Sequence, residues 1–472
     1  MREKAHDEAG MGGQGPVGPR VRRASVLFVF LTVVLEVLGF GLLIPVAPRL
    51  VESLLERGPD TTAEELTARA AESFGLLAAT YAVMIFLFSP TLGALSDRFG
   101  RRPVLLVALL GSGLDYFAMA LSPTLWFLFL TRALNGLSGA SITVCNAYIA
   151  DVTPPEKRAG AYGLLGAAFG LGFVLGPLMG GLLAAEKIEI PLVGITYHGD
   201  IRYPFYAAGS LCILNWVYGM FVLPESLSKD KRAHFRLARA NPVRVFAGIG
   251  HYPLVAGLIA SVFVMNLAQF GLHATWVLYT GYRYEWSDLD VGLSLAFVGV
   301  GAAIVQGGLA RKIIPALGPG VVGEKRALIL GGAIGVLAFV GYGLATEGWM
   351  IYAIITIGSL GGIAQPAFQA LITRSVRADE QGRVQGALQG TNSIAQIGGP
   401  LIATAVFAWF ISERAPLTLP GASFLLGAGL MGVGLAIAWG VMRRHLVEAA
   451  EGPGAQPVLD PEGEAGAGAS AL

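Results

Sequence analysis

Between two long apolar runs the chain reads GALSDRFGRRPVLL, Gly93 to Leu106. This stretch decides the fold, because two membrane-length segments force its charges to a bilayer edge. Gly93 lets helices approach, Gly100 permits a tight turn, and Arg98, Arg101 and Arg102 hold such a loop on the cytosolic side. Asp97 at that edge needs an arginine or a helix N-terminus as partner. Two adjacent arginines alone would fit any basic loop. The full Gly-x-x-x-Asp-Arg-x-Gly-Arg-Arg spacing is more than a generic basic loop requires.

Working outward, the whole chain is apolar: 472 residues, 54% hydrophobic, 14% charged, mean hydropathy +0.62. Soluble domains carry about 25% charged residues, so a purely soluble enzyme is excluded. Basic and acidic residues nearly cancel, 33 against 32, which argues against nucleic acid as a partner. Cys145 and Cys212 lie in apolar runs without metal or redox spacing. A span needs about 20 apolar residues, and about twelve candidates satisfy that rule. They start near Ala24, Ser73, Pro103, Thr124, Gly160, Pro204, Leu254, Val291, Arg326, Trp349, Val384 and Gly421. A loose loop, Pro315 to Gly323, is expected between the eighth and ninth. The chain reads as an all-α membrane protein.

Residues 1–23 are expected to form a disordered cytosolic tail, and residues 446–472, rich in Gly, Ala, Pro and acids, another. The apolar run from Val26 to Ala47 is too long for a signal-peptide core and lacks a small-residue cleavage site, so the first helix should stay in place. Lys and Arg concentrate on one side: at Arg20 to Arg23, Arg98 to Arg102, Lys157 and Arg158, Lys229 to Arg239, Arg311 and Lys312, and Arg443 and Arg444. The first loop of the other side is richer in acids, with Glu52, Glu56, Asp60, Glu64, Glu65 and Glu72. Both termini are therefore expected in the cytosol of a multi-pass cell-membrane protein, in bacteria the inner membrane.

A duplication is legible. GLLGAAFGLGFVLGP, from Gly163 to Pro177, matches GALQGTNSIAQIGGP, from Gly386 to Pro400, at one offset, and RRPVLL from Arg101 resembles KRALIL from Lys325. Two six-helix halves follow, residues 24–223 and 254–445, joined by a basic linker at 224–253. Parallel halves with a site at their interface are a transporter architecture. In the fifth span Gly172, Gly176, Gly180 and Gly181 surround Pro177. Such glycines allow close packing and the proline bends the helix, which suits either an ordinary Gly-rich membrane helix or one that flexes as the halves rock.

These stretches resemble the major facilitator superfamily, and within it the tetracycline–proton antiporter branch, from about Ser25 to Met442. The Gly93 loop is similar to the superfamily's loop motif between helices two and three. Arg132, Gly136 and Gly139 resemble its fourth-helix motif, and GFVLGPLMGG (Gly172 to Gly181) its antiporter motif. LEVLGFGLLIPV in the first span, AYIADVTPPEKRA (Ala147 to Ala159) and LPES (Leu223 to Ser226) look like the antiporter branch specifically.

Charges inside a membrane default to functional sites. Glu36, Asp115 and Arg132 each fall roughly 18 Å from the cytosolic edge at 1.5 Å per residue. They make a cluster that either fixes helix packing or exchanges a proton, with Asp115 as carrier and Arg132 tuning it. The resemblance implies an acid at the Glu36 and Asp115 positions and an arginine at the Arg132 position. His273 reads as structural. Set against the tetracycline antiporters, a ninth-span acid becomes Gly335, an eighth-span histidine Ala302 and a second-span glutamine Ile85, while Gln306 is retained. The losses count against tetracycline as the substrate.

The resulting expectation is a monomeric secondary transporter and not an enzyme, with no cofactor, driven by the proton gradient. It would export a hydrophobic or amphipathic drug-like molecule by alternating access, with Gln306 and Gln365 beside Phe270 and Trp276 contacting the ligand. An uptake symporter or uniporter for a metabolite is the alternative; the antiporter motif favours export. Protons, lipid and a small molecule are its expected partners.

Overall fold

The computed structural model describes residues 19–138, 141–153, 155–190, 195–228, 230, 232, 253–376 and 381–451. The first half holds α1 (Pro19–Leu43), α2 (Ala47–Ser53), α3 (Ala63–Phe99), α4 (Arg101–Ala120), α5 (Leu125–Ser138), α6 (Ser141–Val152), α7 (Pro155–Ala184) and α8 (Tyr203–Val222). The second holds α9 (Pro253–Tyr284), α10 (Asp288–Ile304), α11 (Ala310–Ala316), α12 (Gly320–Leu344), α13 (Gly348–Ser359), α14 (Ala364–Ser375), α15 (Gln381–Ile411) and α16 (Ala422–Glu451). A short antiparallel hairpin, β1 (Ile188–Ile190) with β2 (Ile195–Tyr197), follows α7.

Among the described residues, ten helical stretches are long and apolar enough to cross a bilayer. α1 and α2, bent by 44° where Pro45 interrupts the ladder, make an eleventh. The remaining span, expected from Thr124, is divided between α5 and α6 on either side of residues 139–140, which lie outside the described residues. Leu27, Leu114, Trp126, Leu337 and Trp439 are more than half exposed on the bundle's outer surface. Such apolar exposure suits lipid and not water.

The helices overrun the apolar segments that announce them. α3 starts at Ala63, ten residues or so before the expected Ser73, because Thr62 caps it by accepting from the Glu65 N–H at 3.2 Å. The expected loose loop shrinks to a turn: Pro315 lies inside α11, and α12 already starts at Gly320. α1 begins within the expected N-terminal tail and α16 continues to Glu451, beyond the expected boundary at 445. Most of the basic linker lies outside the described residues.

The duplication appears in the backbone. The offset that carries Gly163 onto Gly386 carries the ends of α6, Ser141 and Val152, onto those of α14, Ala364 and Ser375. It also carries Leu125, where α5 starts, onto Gly348, where α13 starts. The tenth span is interrupted by a 3-10 turn at Leu360–Ile363. Within the halves α1 packs on α7 and α9 on α15; between them α3 packs on α15 and α7 on α10.

Candidate functional site

The Gly93 loop is built around Arg101. Gly100 ends α3 and precedes α4 with φ of 107°, a conformation that side chains resist. A Cβ there would also lie 2.2 Å from a Glu225 carboxylate oxygen. Beside it the Arg101 guanidinium is nearly buried. It pairs with Asp97 at 2.6 Å and with Asp151 at 3.0 Å, and it donates to the Ser96 hydroxyl at 2.6 Å. The Arg101 backbone N–H donates to Glu225 at 2.8 Å, and Arg102 donates to the Met220 carbonyl at 2.6 Å. Ser226 donates to Asp151 at 3.2 Å. The loop thus joins the end of α6 to the segment after α8. Asp97 meets Arg101 of its own half. AYIADVTPPEKRA and LPES are legible as motifs, but only the fold reveals that Asp151 and Glu225 converge on Arg101.

The charged cluster forms in the first half. Arg132 pairs with Asp115, and the Asn135 side-chain amide donates to the same Asp115 oxygen at 2.5 Å. Asp115, Arg132 and Asn135 are all buried. The rings of Tyr81 and Tyr116 flank the guanidinium, with centroids at 5.1 and 5.9 Å. Cation–π contacts of this kind offset part of the lost hydration. Glu36 is half-buried on α1 and reaches the group through the Tyr81 neighbourhood, within electrostatic range of that phenol. Asn135 is the member that sequence reading missed.

The second half holds a cavity of about 530 Å³. Gln306, Gln365 and Trp276 line it together with Ala302 and Gly335. Gln306 sits in a π-helical turn, Val305–Leu309, between α10 and α11; such turns re-aim side chains at functional sites. Phe270 is set behind His273, whose ring meets Phe173 of α7 at 6.1 Å and Phe270 at 6.3 Å. His273 accompanies Gln269, 3.2 Å away, in the lining, so it faces the cavity instead of serving only helix packing. No Asp or Glu lines this cavity among the described residues.

The glycine motif divides its contacts. A Cβ at Gly172, Gly176 or Gly180 would run into Val37, Gly41 or Leu42 of α1, within the same half. At Gly181 it would lie 2.5 Å from the Asp288 carbonyl across the interface, and Gly292 faces the Pro177 carbonyl at 2.5 Å. Gly75 of α3 meets Thr404 of α15 equally closely. These cross-half contacts all lie toward the acidic face. Toward the basic face, a Cβ at Gly93, Gly166, Gly307 or Gly308 would meet nothing within 4 Å among the described residues. The two halves are closed against each other at the acidic end.

Two pseudo-equivalent six-helix halves, closed at one end around a central cavity, define a secondary transporter of small molecules. The chain belongs to the Major Facilitator Superfamily, which residues 29–400 match. It is 40% identical over 409 residues to the class C tetracycline resistance protein of Escherichia coli, covering 86% of this chain and 94% of that one. The class G protein of Vibrio anguillarum is 34% identical, with 82% and 91% covered. A bacterial homolog of the human lysosomal transporter Spinster, solved inward-facing and unoccupied, shares the fold at a TM-score of 0.68 and 17% identity over 91% of this chain and 99% of that one. The chain is accordingly a multi-pass membrane transporter and not an enzyme.

Proposed function

We propose that this protein is a proton-coupled antiporter that exports a hydrophobic or amphipathic, drug-like molecule. The observation behind this reading is the buried Asp115–Arg132–Asn135 cluster, set in one half while the other half offers an uncharged cavity. Ionised Asp115 holds Arg132 and accepts from Asn135. A proton arriving on Asp115 removes its attraction for Arg132 and alters the balance between access states. Ligand is held by amides of the second half, Gln306 and Gln365, against Trp276 and the cross-half aromatic pair of His273 with Phe173 of the first half. The tetracycline resistance relatives support export of a drug-like compound. A cationic metal chelate such as tetracycline forms would face no carboxylate in that lining, which disfavours it. The basic face is assigned to the cytosol by its lysines and arginines, so the closed acidic end faces away from the side from which cargo is loaded.

Everted membrane vesicles test the coupling. A panel of apolar and amphipathic compounds should dissipate an imposed proton gradient only where the wild-type protein is present. Compound movement that proceeds at full rate without any proton flux would reject antiport. The orientation is checked separately by placing a cysteine at Ser228 in a background lacking Cys145 and Cys212. It should resist impermeant thiol reagents in intact cells.

A further inference from the structure

The acidic face is held shut by a contact that joins the two halves through charge. Arg49 on α2 reaches across to the turn that starts α10. One guanidinium nitrogen donates to the Trp286 carbonyl at 2.6 Å, a second to Asp288 at 3.1 Å, and Nε lies 3.1 Å from the other Asp288 oxygen. The guanidinium thus forks between a backbone carbonyl and a carboxylate, and its contact with the carboxylate is charge-assisted. Asp288 is 3% exposed although it sits at a helix start. Its backbone carbonyl lies against Gly181, so the chain beneath the pair cannot slide aside.

From this geometry we infer that Arg49 and Asp288 form the latch of the acidic-face gate, a positioning pair that must separate once in every transport cycle. Arg49 moves with the first half and Asp288 with the second. Any rocking that opens this face therefore breaks both carboxylate contacts and the bond to Trp286 together. A cavity of about 710 Å³ on the same face is lined by both residues, together with Glu52, Arg57, Glu186 and Glu285. Water there can rehydrate the separated charges, which makes the rupture reversible. Losing Arg49 leaves the Asp288 charge buried and unpaired only while the face is closed, and losing Asp288 removes the charge that draws the partly exposed Arg49 across the interface, so in either case the open state gains population. The inference rests on alternating access by the two halves and is independent of proton coupling and of the cargo.

The test uses the full chain in nanodiscs, with Cys145 and Cys212 replaced by Ala and one reporter cysteine at Leu278. That position lines the outer cavity and is 5% exposed in the closed state. Arg49→Gln and Asp288→Asn should each raise the rate of reporter labelling by an impermeant maleimide about tenfold. Arg49→Lys, which keeps charge but loses the fork, should fall between. Exchanging the pair, Arg49→Asp with Asp288→Arg, should bring the rate back toward the parent. A control reporter at Leu109, fully buried in the first half's own core, should stay unlabelled in the Arg49→Gln protein, which separates gate opening from unfolding. Unchanged labelling at Leu278 in both single variants, or labelling at Leu109 that rises in parallel with it, overturns the latch.

Discussion

The first half holds Glu36, Asp115 and Arg132 inside the membrane, whereas the second, built on the same helical plan, has apolar residues at the three equivalent positions. At the offset that carries α6 onto α14, Asp115 falls on Ala338 and Arg132 on Ile355, and both of those residues line the cavity. Glu36 falls on Ile259, part of the second half's core. Duplication thus supplied one scaffold twice, and the chemistry then diverged position by position. A membrane-buried charge is tolerated only where a partner is built beside it. The first half has built Arg132, Asn135 and two tyrosine rings around Asp115; the second has none of these and carries amides instead.

The largest effect should come from removing the charge on which this contrast turns. Asp115→Asn should abolish uphill, proton-driven transport while leaving downhill exchange partly intact, because the amide oxygen still accepts from Arg132. Glu36→Gln should weaken transport less, as a residue that tunes the cluster. Substituting Ala338→Asn at the repeat position should leave coupling in place. Uphill flux in vesicles, normalised to protein in the membrane, ranks the three. Full uphill transport by Asp115→Asn would assign the cluster to helix packing alone.

The loops at the basic face repeat the contrast with the signs reversed. Arg101 pairs with Asp151 in the first half; at the same offset Glu324 pairs with Arg374 in the second, at 3.1 Å. The first brace is a network through Asp97, Ser96 and Glu225, and its arginine side chain is 10% exposed. Arg101→Ala should therefore lower stability by about 2–3 kcal/mol. Thermal unfolding in detergent, with lost transport in the same variant, provides the measurement.

A gain of function probes the cavity itself. Gly335→Asp would set a carboxylate in the lining, and the atom it approaches is the flexible end of Met431, 2.7 Å from a built Cβ. Affinity for a cationic chelate should rise by about tenfold, or 1.4 kcal/mol. Tetracycline susceptibility of a pump-deficient host is the readout. No change there would mean that shape, and not charge, excludes the chelate.

Much of this was legible before any helix was placed. The apolar runs, the Gly93 loop and the Gly-Pro repeat imply the fold because bilayer thickness and close helix packing leave few solutions. Gln306, Gln365 and Trp276 could be nominated for the cavity because few polar or aromatic side chains lie at that depth. Two features escaped. Asn135 is an ordinary residue until Asp115, twenty positions earlier in sequence, comes against it. Arg49 and Asp288 read as solvent-loop charges, and only the packing of one half on the other buries the aspartate.

The smallest effect is expected at the second brace. Arg374 is 60% exposed at its side chain, so its attraction for Glu324 acts through water and is screened by salt. Glu324 is itself mostly covered, yet among the described residues its one ion-pair partner is this solvated arginine, and it lies in the opening turns of α12, where the helix dipole favours a carboxylate. Lys325 and Arg326 follow it in sequence and keep the local potential positive. Arg374→Ala should therefore cost less than about 1 kcal/mol, with the loss shrinking further at high salt. Arg101→Ala should be the less salt-sensitive of the two, since its contacts are largely shielded from solvent. Unfolding curves for both variants at low and high ionic strength make the comparison. A salt-insensitive loss above about 2 kcal/mol for Arg374→Ala would show that the second half braces its basic end as firmly as the first, and that the divergence between the halves stops at the membrane interior.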